Sequence, residues 1–257
     1  MIPAGAGSAD VSEISDWFMS SRPPIAYSDF RRVMDVALKY NIQDIISEAR
    51  HRLSEVFQTD SLDDWCVELD PEGDRTPLQI SYFDYIDALR LSRLLGMHSI
   101  TPLLFYVCCN LSPFEKIVDG VQLAGIPEPV TLSQDDLRTC LRGRARLIQE
   151  SSRIMKAFQE LAFDERGRPS ACKTPQHCSE ALQALSLAVV DAQCFSEPSA
   201  IDPMDRWITR HENTADAKPC RHCGKALRNV VNERREETWC KLGEIFGVEE
   251  WPAGEKD

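Results

Sequence analysis

Four cysteines in two short runs are the side chains of this sequence best suited to chemistry. Cys172 and Cys178 stand in the run Cys-Lys-Thr-Pro-Gln-His-Cys, and Cys220 and Cys223 stand in Cys-Arg-His-Cys-Gly-Lys. Zinc binds four thiolate or imidazole ligands in a tetrahedron, and proteins usually supply them as two closely spaced pairs. The four cysteines are therefore predicted to bind one structural zinc ion, with no coordination position left open for water.

Other interpretations of the same sulfurs stay open. Cysteine is among the most buried residue types and often acts only as a small hydrophobe. The wide spacing of the first pair and the long gap between the pairs match no common zinc-finger signature. His177 and His222 could each replace a cysteine as ligand, although both adjoin a cysteine and could equally face solvent. A disulfide is less favoured, because nothing in the sequence marks a secreted protein.

The first pair is expected at the start of a helix. Thr174 and Pro175 have the residue types of an N-cap and a first helical position. Cys178 would then lie in the first turn of that helix, and Cys172 would lie just before it. Because the N-terminus of a helix favours negative charge, this position favours a thiolate.

The second pair is expected to be followed by a turn. Gly224 comes directly after Cys223, and a glycine there can take a positive φ that turns the chain back after the second sulfur. The closing helix is predicted over residues 225–246. A zinc ion on all four cysteines would tie the start of the helix after Pro175 to the start of this closing helix.

Composition limits the classes of partner. The chain has 257 residues and a net charge of −12, which disfavours non-specific binding to nucleic acid or to an anionic membrane. Its densest basic run, residues 142–146, is better explained as a solvated helix face than as a nucleic-acid contact. The chain has ten cysteines but no signal-peptide pattern, and no apolar stretch is long enough to span a membrane. A reducing compartment, the cytosol or the nucleus, is therefore expected.

The rest of the sequence predicts an almost all-α protein, because apolar residues recur at helical spacing nearly everywhere. Ser28 is the candidate N-cap of an early helix. Ser133-x-x-Asp136 resembles a capping box that opens the longest helix, with Asp in place of the usual Glu. The only candidate strand is a weak one around residues 118–123, and a short helix is predicted around Trp207.

Two of the early helices resemble the closing helices of a BTB/POZ domain. The resemblance is carried by Asp29-Phe30, by residues 33–42 with their Ala-x-Lys-Tyr ending, and by residues 49–53. Later motifs, in the same order, are similar to the C-terminal region of BTB-domain proteins of mushroom-forming fungi. They are Leu94-Leu95-Gly96, Pro102-x-x-Phe105-Tyr106-x-Cys108-Cys109, Asp119-Gly120-Val121, residues 132–146, both cysteine pairs, Trp239-x-x-Leu242, Phe246-Gly247 and Trp251.

The resemblance implies an organisation in three regions. Residues 1–58 would be the closing helices of a BTB domain. The strands and the N-terminal helical hairpin of that domain would be missing from this chain. Residues 59–165 would form a helical middle region, and residues 166–257 a helical region with the cysteine pairs. Helices over residues 11–57 would normally pack beside the sheet, so some of their apolar surface is expected to be exposed or used by a partner, and self-association is expected.

The function that the resemblance implies is that of a non-enzymatic adaptor that binds other proteins. The sequence contains no His-Glu-x-x-His, Gly-x-Ser-x-Gly or phosphate-loop motif. Two other classes stay open. One is a zinc-containing, transcription-linked factor, since BTB domains are often joined to DNA-binding fingers. The other is a thiol-based enzyme or redox sensor. The expected partners are proteins, with neither nucleic acid nor membrane among them.

Overall fold

The structure is a computed structural model, and it describes residues 11–20, 24–57, 61–68, 77–124, 126, 128–163, 169–191, 198–202, 218–249 and 251. The described residues are predominantly helical, which confirms the all-α prediction. The predicted helix around Trp207 lies outside them. No helix in the described part is long and apolar enough to cross a membrane.

The described elements are α-helices of 4 to 30 residues, one 3₁₀ turn and two very short strands. In chain order they are α1 (Val11–Ser20), β1 (Ile25–Ala26), α2 (Tyr27–Tyr40), α3 (Gln43–Phe57), α4 (Leu62–Glu68), β2 (Leu78–Gln79), α5 (Asp84–Leu94), a 3₁₀ turn (His98–Ile100), α6 (Thr101–Cys109), α7 (Lys116–Asp119), α8 (Gln134–Phe163), α9 (Pro175–Asp191), α10 (Arg221–Cys240) and α11 (Leu242–Phe246).

The chain forms two compact units. Unit 1 comprises Met1–Cys140 with Phe246–Pro252, and unit 2 comprises Leu141–Ile245 with Ala253–Asp257. Unit 1 thus joins the predicted first region to most of the predicted middle region. The boundaries of the three predicted regions stay a prediction.

The start of α2 in unit 1 corrects one sequence prediction. Ile25 and Ala26 pair in parallel with Leu78 and Gln79, and these strands are too short to leave a pattern of alternating residues. Ala26, not Ser28, is the N-cap of α2, and it makes no side-chain capping bond. The strand pairing holds the backbone extended up to Ala26, so the helix begins before the serine.

The apolar faces of the first helices are covered within unit 1. Their buried residues are Phe18, Phe30, Val33, Met34, Ala37, Ile45, Ile46, Ala49, Leu53 and Phe57. Of the large apolar side chains described in α1 to α3, Met19 and Tyr40 are the exposed ones. Most of the predicted apolar face is therefore covered in the described part of α1 to α3, and the expected self-association stays a prediction.

The segment from β2 into α5 supplies the cover that a sheet was expected to give. β2 contacts both α2 and α3. The rings of Phe57 and Tyr85 meet edge to face with centroids 6.0 Å apart. Aromatic pairs in this arrangement contribute beyond the area that they bury, so this pair helps to hold the end of α3 against the start of α5.

A buried polar cluster also joins α2 to α5. Asp87 is fully buried, and the Tyr27 hydroxyl donates a hydrogen bond of 3.0 Å to its Oδ2. Nε of Arg31 lies 2.7 Å from the same oxygen. A charge that is taken out of water needs such partners. Nothing in the sequence pattern around Asp87 distinguished it from a surface carboxylate.

The region after α7 departs from the predicted strand. Residues 116–119 are helical, and the only strand-like feature described there is a single antiparallel bridge between Val121 and Val130. Gly120 takes a φ of +85° next to that bridge, where the chain leaves α7. The predicted strand around residues 118–123 is therefore wrong, and only Val121 makes a strand-like backbone pairing there.

The longest helix begins as predicted. The Asp136 N–H donates a hydrogen bond of 3.1 Å to the Ser133 hydroxyl, which in turn donates to Asp136 Oδ2 at 2.7 Å. The serine thus satisfies one of the free amides at the start of α8, as in a capping box.

The basic run over residues 142–146 makes a contact within unit 2. Arg146 Nη1 donates hydrogen bonds to the carbonyl oxygens of Glu244 and Ile245 at 3.0 and 3.2 Å.

Unit 2 buries one face of each of its long helices. These buried residues are Leu147, Ile154 and Phe158 of α8, Cys178, Ala181, Leu182, Leu185 and Val189 of α9, and Cys223, Leu227, Val231 and Trp239 of α10. Arg235 of α10 is buried and donates from Nη2 to the carbonyl of Ile201 at 2.9 Å. The predicted closing helix is instead two helices, because α10 ends at Cys240 and α11 begins at Leu242.

Candidate metal centre

The starts of α9 and α10, with the residues just before them, bring four sulfurs together in unit 2. Sγ atoms of Cys172, Cys178, Cys220 and Cys223 all lie within 4.8 Å of one another. These are the four residues that the sequence predicts as ligands, and the four form the one such cluster among the described residues. The arrangement is compatible with a metal site.

The distances suit a metal better than a disulfide. A tetrahedral zinc ion with Zn–S bonds of about 2.3 Å places its sulfurs about 3.8 Å apart. The Sγ atoms of Cys172 and Cys220 are 3.9 Å apart, whereas a disulfide would hold them at about 2.05 Å. All four thiols are free.

The α9 half of the site follows the sequence prediction. The helix begins at Pro175, and the Cys178 N–H donates to the carbonyl of Thr174 at 3.0 Å. Thr174 thus occupies the N-cap position and Cys178 the first turn. Cys172 precedes the helix in a turn closed by a 2.9 Å hydrogen bond from its N–H to the carbonyl of Pro169.

The α10 half corrects the prediction for Gly224. Cys220 is the N-cap of α10, with extended backbone angles of φ −62° and ψ 160°. The Gly224 N–H donates to the Cys220 carbonyl at 2.9 Å, so Gly224 lies inside the first helical turn. It is absent from the described residues with positive φ. The chain changes direction at Cys220, before the second sulfur, and needs no left-handed residue after it.

Cys178 receives two polar contacts on its sulfur. The backbone N–H of Cys220 donates to it at 3.3 Å, and the Thr174 hydroxyl lies 3.5 Å away. Burial opposes the thiolate, but these contacts outweigh it and lower the pKa of Cys178 to about 6. Burial and the neighbouring thiols raise the pKa of Cys223. A metal ion would favour the thiolate at every sulfur.

The two neighbouring histidines are outside the cluster. His177 is exposed, and its Nε2 lies 3.2 Å from the carbonyl oxygen of Lys218. His222 is exposed on the first turn of α10. The ligand set that the structure brings together is therefore made of four cysteines, without an imidazole.

The other cysteines described do not join a site. Cys109 donates from Sγ to the carbonyl of Cys140 at 3.3 Å, and Cys108 donates to the carbonyl of Tyr85 at 3.6 Å. All three of these thiols are buried, and burial raises the pKa of Cys108 well above its usual value. Cys240 is exposed. Cys194 and the side chain of Cys66 lie outside the described residues.

Sequence reasoning missed the polar contacts to the Cys178 sulfur. Thr174 was identified only as a helix cap, yet its hydroxyl faces the sulfur four residues later. The spacing of an N-cap threonine and a cysteine in the first turn was the available signal. The contact from the Cys220 N–H left no signal, because it joins residues on two different helices.

Comparison of the chain with protein-family models, with curated proteins and with solved structures finds no match. The resemblance to BTB-domain proteins therefore stays a prediction.

Proposed function

We propose that this protein is a non-enzymatic, intracellular adaptor for protein–protein interaction, in which one structural zinc ion holds the start of α9 against the start of α10. The observation that supports the zinc site is the convergence of four cysteine sulfurs within 4.8 Å of one another. Four protein ligands complete a tetrahedral shell, so the metal would have a structural and not a catalytic role.

The donor set favours zinc among the common protein metals. Magnesium and calcium prefer oxygen ligands, whereas thiolates suit zinc and iron. Both helices present their N-termini to the cluster, where partial positive charge stabilises negative sulfur. The contacts from the Cys220 N–H and the Thr174 hydroxyl serve the same end at Cys178, as outer-shell groups do around zinc ligands.

The adaptor role rests on different support. The BTB-like motifs imply protein partners, and the net charge of −12 disfavours nucleic acid. The zinc-containing unit would give such an adaptor a stable helical surface, because metal binding contributes about 10 kcal/mol or more to the folding of the residues that it joins. A cytosolic or nuclear location is part of this proposal, because the four cysteines must stay reduced to bind zinc and disulfides are rare in those compartments.

Zinc stoichiometry of the purified full chain tests the metal site. We expect one zinc ion per chain in the wild type and a large loss in Cys223→Ser. Cys240→Ser is the matched control, since Cys240 is an exposed thiol at the other end of the same helix, and it should keep the metal. A metal-free wild type, purified without chelator, would refute the proposal. The sulfurs would then be packed thiols.

The role of the metal in folding has its own readout. Removal of zinc by a strong chelator should raise amide hydrogen exchange in the first turns of α9 and α10. Exchange in α2, α3, α5 and α6 of unit 1 should stay unchanged, because none of the four cysteines lies in that unit. Equal protection of α9 and α10 with and without metal would show that zinc does not stabilise the unit.

A salt series in a DNA-binding assay separates the adaptor from the transcription-linked alternative. Phosphate contacts give an affinity that falls steeply as salt rises. We expect no such binding from this acidic chain. Binding of duplex DNA by the zinc-loaded protein at physiological salt would favour the alternative instead.

A further inference from the structure

The four cysteines of the cluster differ in burial. Cys178 and Cys223 are buried, whereas Cys172 and Cys220 are half-buried. Cys172 also lines a cleft of about 630 Å³, whose other walls are Pro169, Ser170, Pro175, Gln176, Ser179 and Glu180. A small solute can therefore approach Cys172 without unfolding either helix.

The sulfurs of the two half-buried cysteines are also neighbours. Their Sγ atoms are 3.9 Å apart. Cys172 lies in the turn before α9, and Cys220 is the N-cap of α10. Both thus precede the regular part of a helix, where a small backbone shift can bring the sulfurs to the 2.05 Å of a disulfide. Cys178 and Cys223 are held inside helical turns.

The buried sulfurs are protected in a second way. Cys178 accepts the hydrogen bond from the Cys220 N–H and contacts the Thr174 hydroxyl. These contacts hold the sulfur inside the cluster, away from a dissolved oxidant. Reaction with an oxidant is therefore expected to start at the half-buried pair.

We propose that Cys172 and Cys220 are the peroxide-sensitive pair of this site, and that their oxidation to one disulfide releases the metal. This inference rests on the proposed zinc site and adds its regulation. Redox-sensitive cysteines are typically accessible thiolates beside a second cysteine that resolves the first product. The geometry gives Cys172 the first role and Cys220 the second.

The chemistry balances with hydrogen peroxide as the oxidant. The Cys172 thiolate attacks one peroxide oxygen and breaks the O–O bond, which gives a sulfenic acid and hydroxide. The Cys220 thiolate then attacks that sulfur, forms the S–S bond and expels a second hydroxide. Two thiolates, one peroxide and two protons thus give one disulfide and two waters, and the two electrons pass from sulfur to oxygen.

Release of zinc follows from the ligand count. The disulfide removes two of the four thiolates, and a zinc ion left on Cys178 and Cys223 alone lacks the shell that makes a structural site stable. The two freed thiolates take up protons, and the metal leaves. Reduction of the disulfide in the presence of zinc restores the original site.

The test uses the zinc-loaded full chain treated with hydrogen peroxide. A chromogenic chelator follows zinc release, and peptide mapping after alkylation identifies the disulfide. We expect one zinc ion released per chain, together with a Cys172–Cys220 disulfide, and rebinding of zinc after reduction. Retention of zinc at peroxide levels that oxidise the exposed Cys240, or a disulfide between Cys178 and Cys223, would overturn the proposal.

A matched pair of variants sharpens the test. Cys172→His and Cys178→His each keep four possible ligands, but only the first removes a sulfur from the half-buried pair. We expect peroxide to release zinc much more slowly from Cys172→His than from Cys178→His, and equal rates would contradict the proposal. If either variant fails to bind zinc, the disulfide found in the oxidised wild type still tests the proposal, because only a Cys172–Cys220 bond supports it. A wild type that carries no zinc at all instead refutes the proposed function itself.

Discussion

The backbone N–H of Cys220 donates a hydrogen bond to Sγ of Cys178 across 3.3 Å, although the two residues lie 42 positions apart. The bond joins the N-cap of α10 to the first turn of α9. It places one helix terminus directly against a sulfur of the other and so fixes which face of each helix meets the cluster. The metal site is therefore built around two helix starts, with Cys172 in the turn that leads into α9.

Thr174 provides the most direct test of the polar contacts around this sulfur. Thr174→Val removes the hydroxyl that lies 3.5 Å from Cys178 Sγ and keeps the side-chain shape. Loss of such an outer-shell group typically weakens metal affinity about 10- to 100-fold. We expect a weakening in this range in a competition titration with a zinc chelator. Thr174→Ser, which keeps the hydroxyl, should bind as the wild type does, and equal affinity for all three proteins would exclude a role for the contact.

The cysteine site could be predicted because its signals are local. The spacing of Cys220 and Cys223, and the Thr-Pro sequence before Cys178, each encode a short stretch of backbone. The turn at Gly224 could not be predicted, since a glycine after a cysteine pair fits both a left-handed residue and a helical one. The extended backbone of Cys220 decided between them.

The polar cluster of unit 1 shows the opposite case. Asp87 is buried only because Tyr27, 60 residues earlier, and Arg31 lie against it. No local pattern contains that information. The strand pair of Ile25 with Leu78 could not be predicted for the same reason. Two residues of strand carry no periodicity, and their pairing is set by the packing of α2 and α3.

Asp87→Asn tests the energetic weight of this cluster. The substitution leaves the buried guanidinium of Arg31 without its buried counter-charge, and such losses typically cost about 3–5 kcal/mol. Asp35→Asn is the control, because Asp35 pairs with the same arginine but has a side chain that is 60% exposed. Exposed pairs contribute about 0–1 kcal/mol. Urea unfolding at neutral pH should show a far larger loss for Asp87→Asn than for Asp35→Asn.

The same carboxyl group gives a pH dependence. Burial raises the pKa of Asp87 above its ordinary value of 3.8, although Arg31 and the Tyr27 hydroxyl favour the charged form. The folded state then holds the proton more tightly than the unfolded state does. The stability that this adds is complete below pH 3.8 and is lost as the pH rises through the folded pKa. This cost of burial opposes the pairing with Arg31, so the loss in Asp87→Asn at neutral pH should lie below about 3–5 kcal/mol. The margin in unfolding free energy between wild type and Asp87→Asn should shrink as the pH rises above 3.8, and a growing margin would mean that Arg31 dominates.

Gly120 lies too close to its neighbours to accept a side chain, whereas Gly96 has open space around it. Both have positive φ, +85° and +67°, but a Cβ on Gly120 would lie 2.7 Å from Thr131 Cγ2 and 3.0 Å from the Val130 carbonyl oxygen. A Cβ on Gly96 would meet nothing within 4 Å. Gly96→Ala should cost about 1–2 kcal/mol for the backbone conformation alone. Gly120→Ala should cost about 1–3 kcal/mol more, because its surroundings must move and because its ψ of 172° lies in a region open almost only to glycine. Equal losses in urea unfolding would contradict both requirements.

Gly224→Ala distinguishes the two geometries of the second cysteine pair. In the helical geometry a Cβ on Gly224 would meet only the end of the flexible Arg228 side chain, at 3.6 Å. Alanine should then stabilise the first turn of α10 by about 0.5–1 kcal/mol and leave zinc affinity unchanged. Gly247→Ala is the control, because its φ of +69° should make alanine destabilising. If Gly224→Ala instead loses zinc and stability, the chain must turn back after Cys223 with a left-handed glycine, and α10 would begin beyond the cysteine pair.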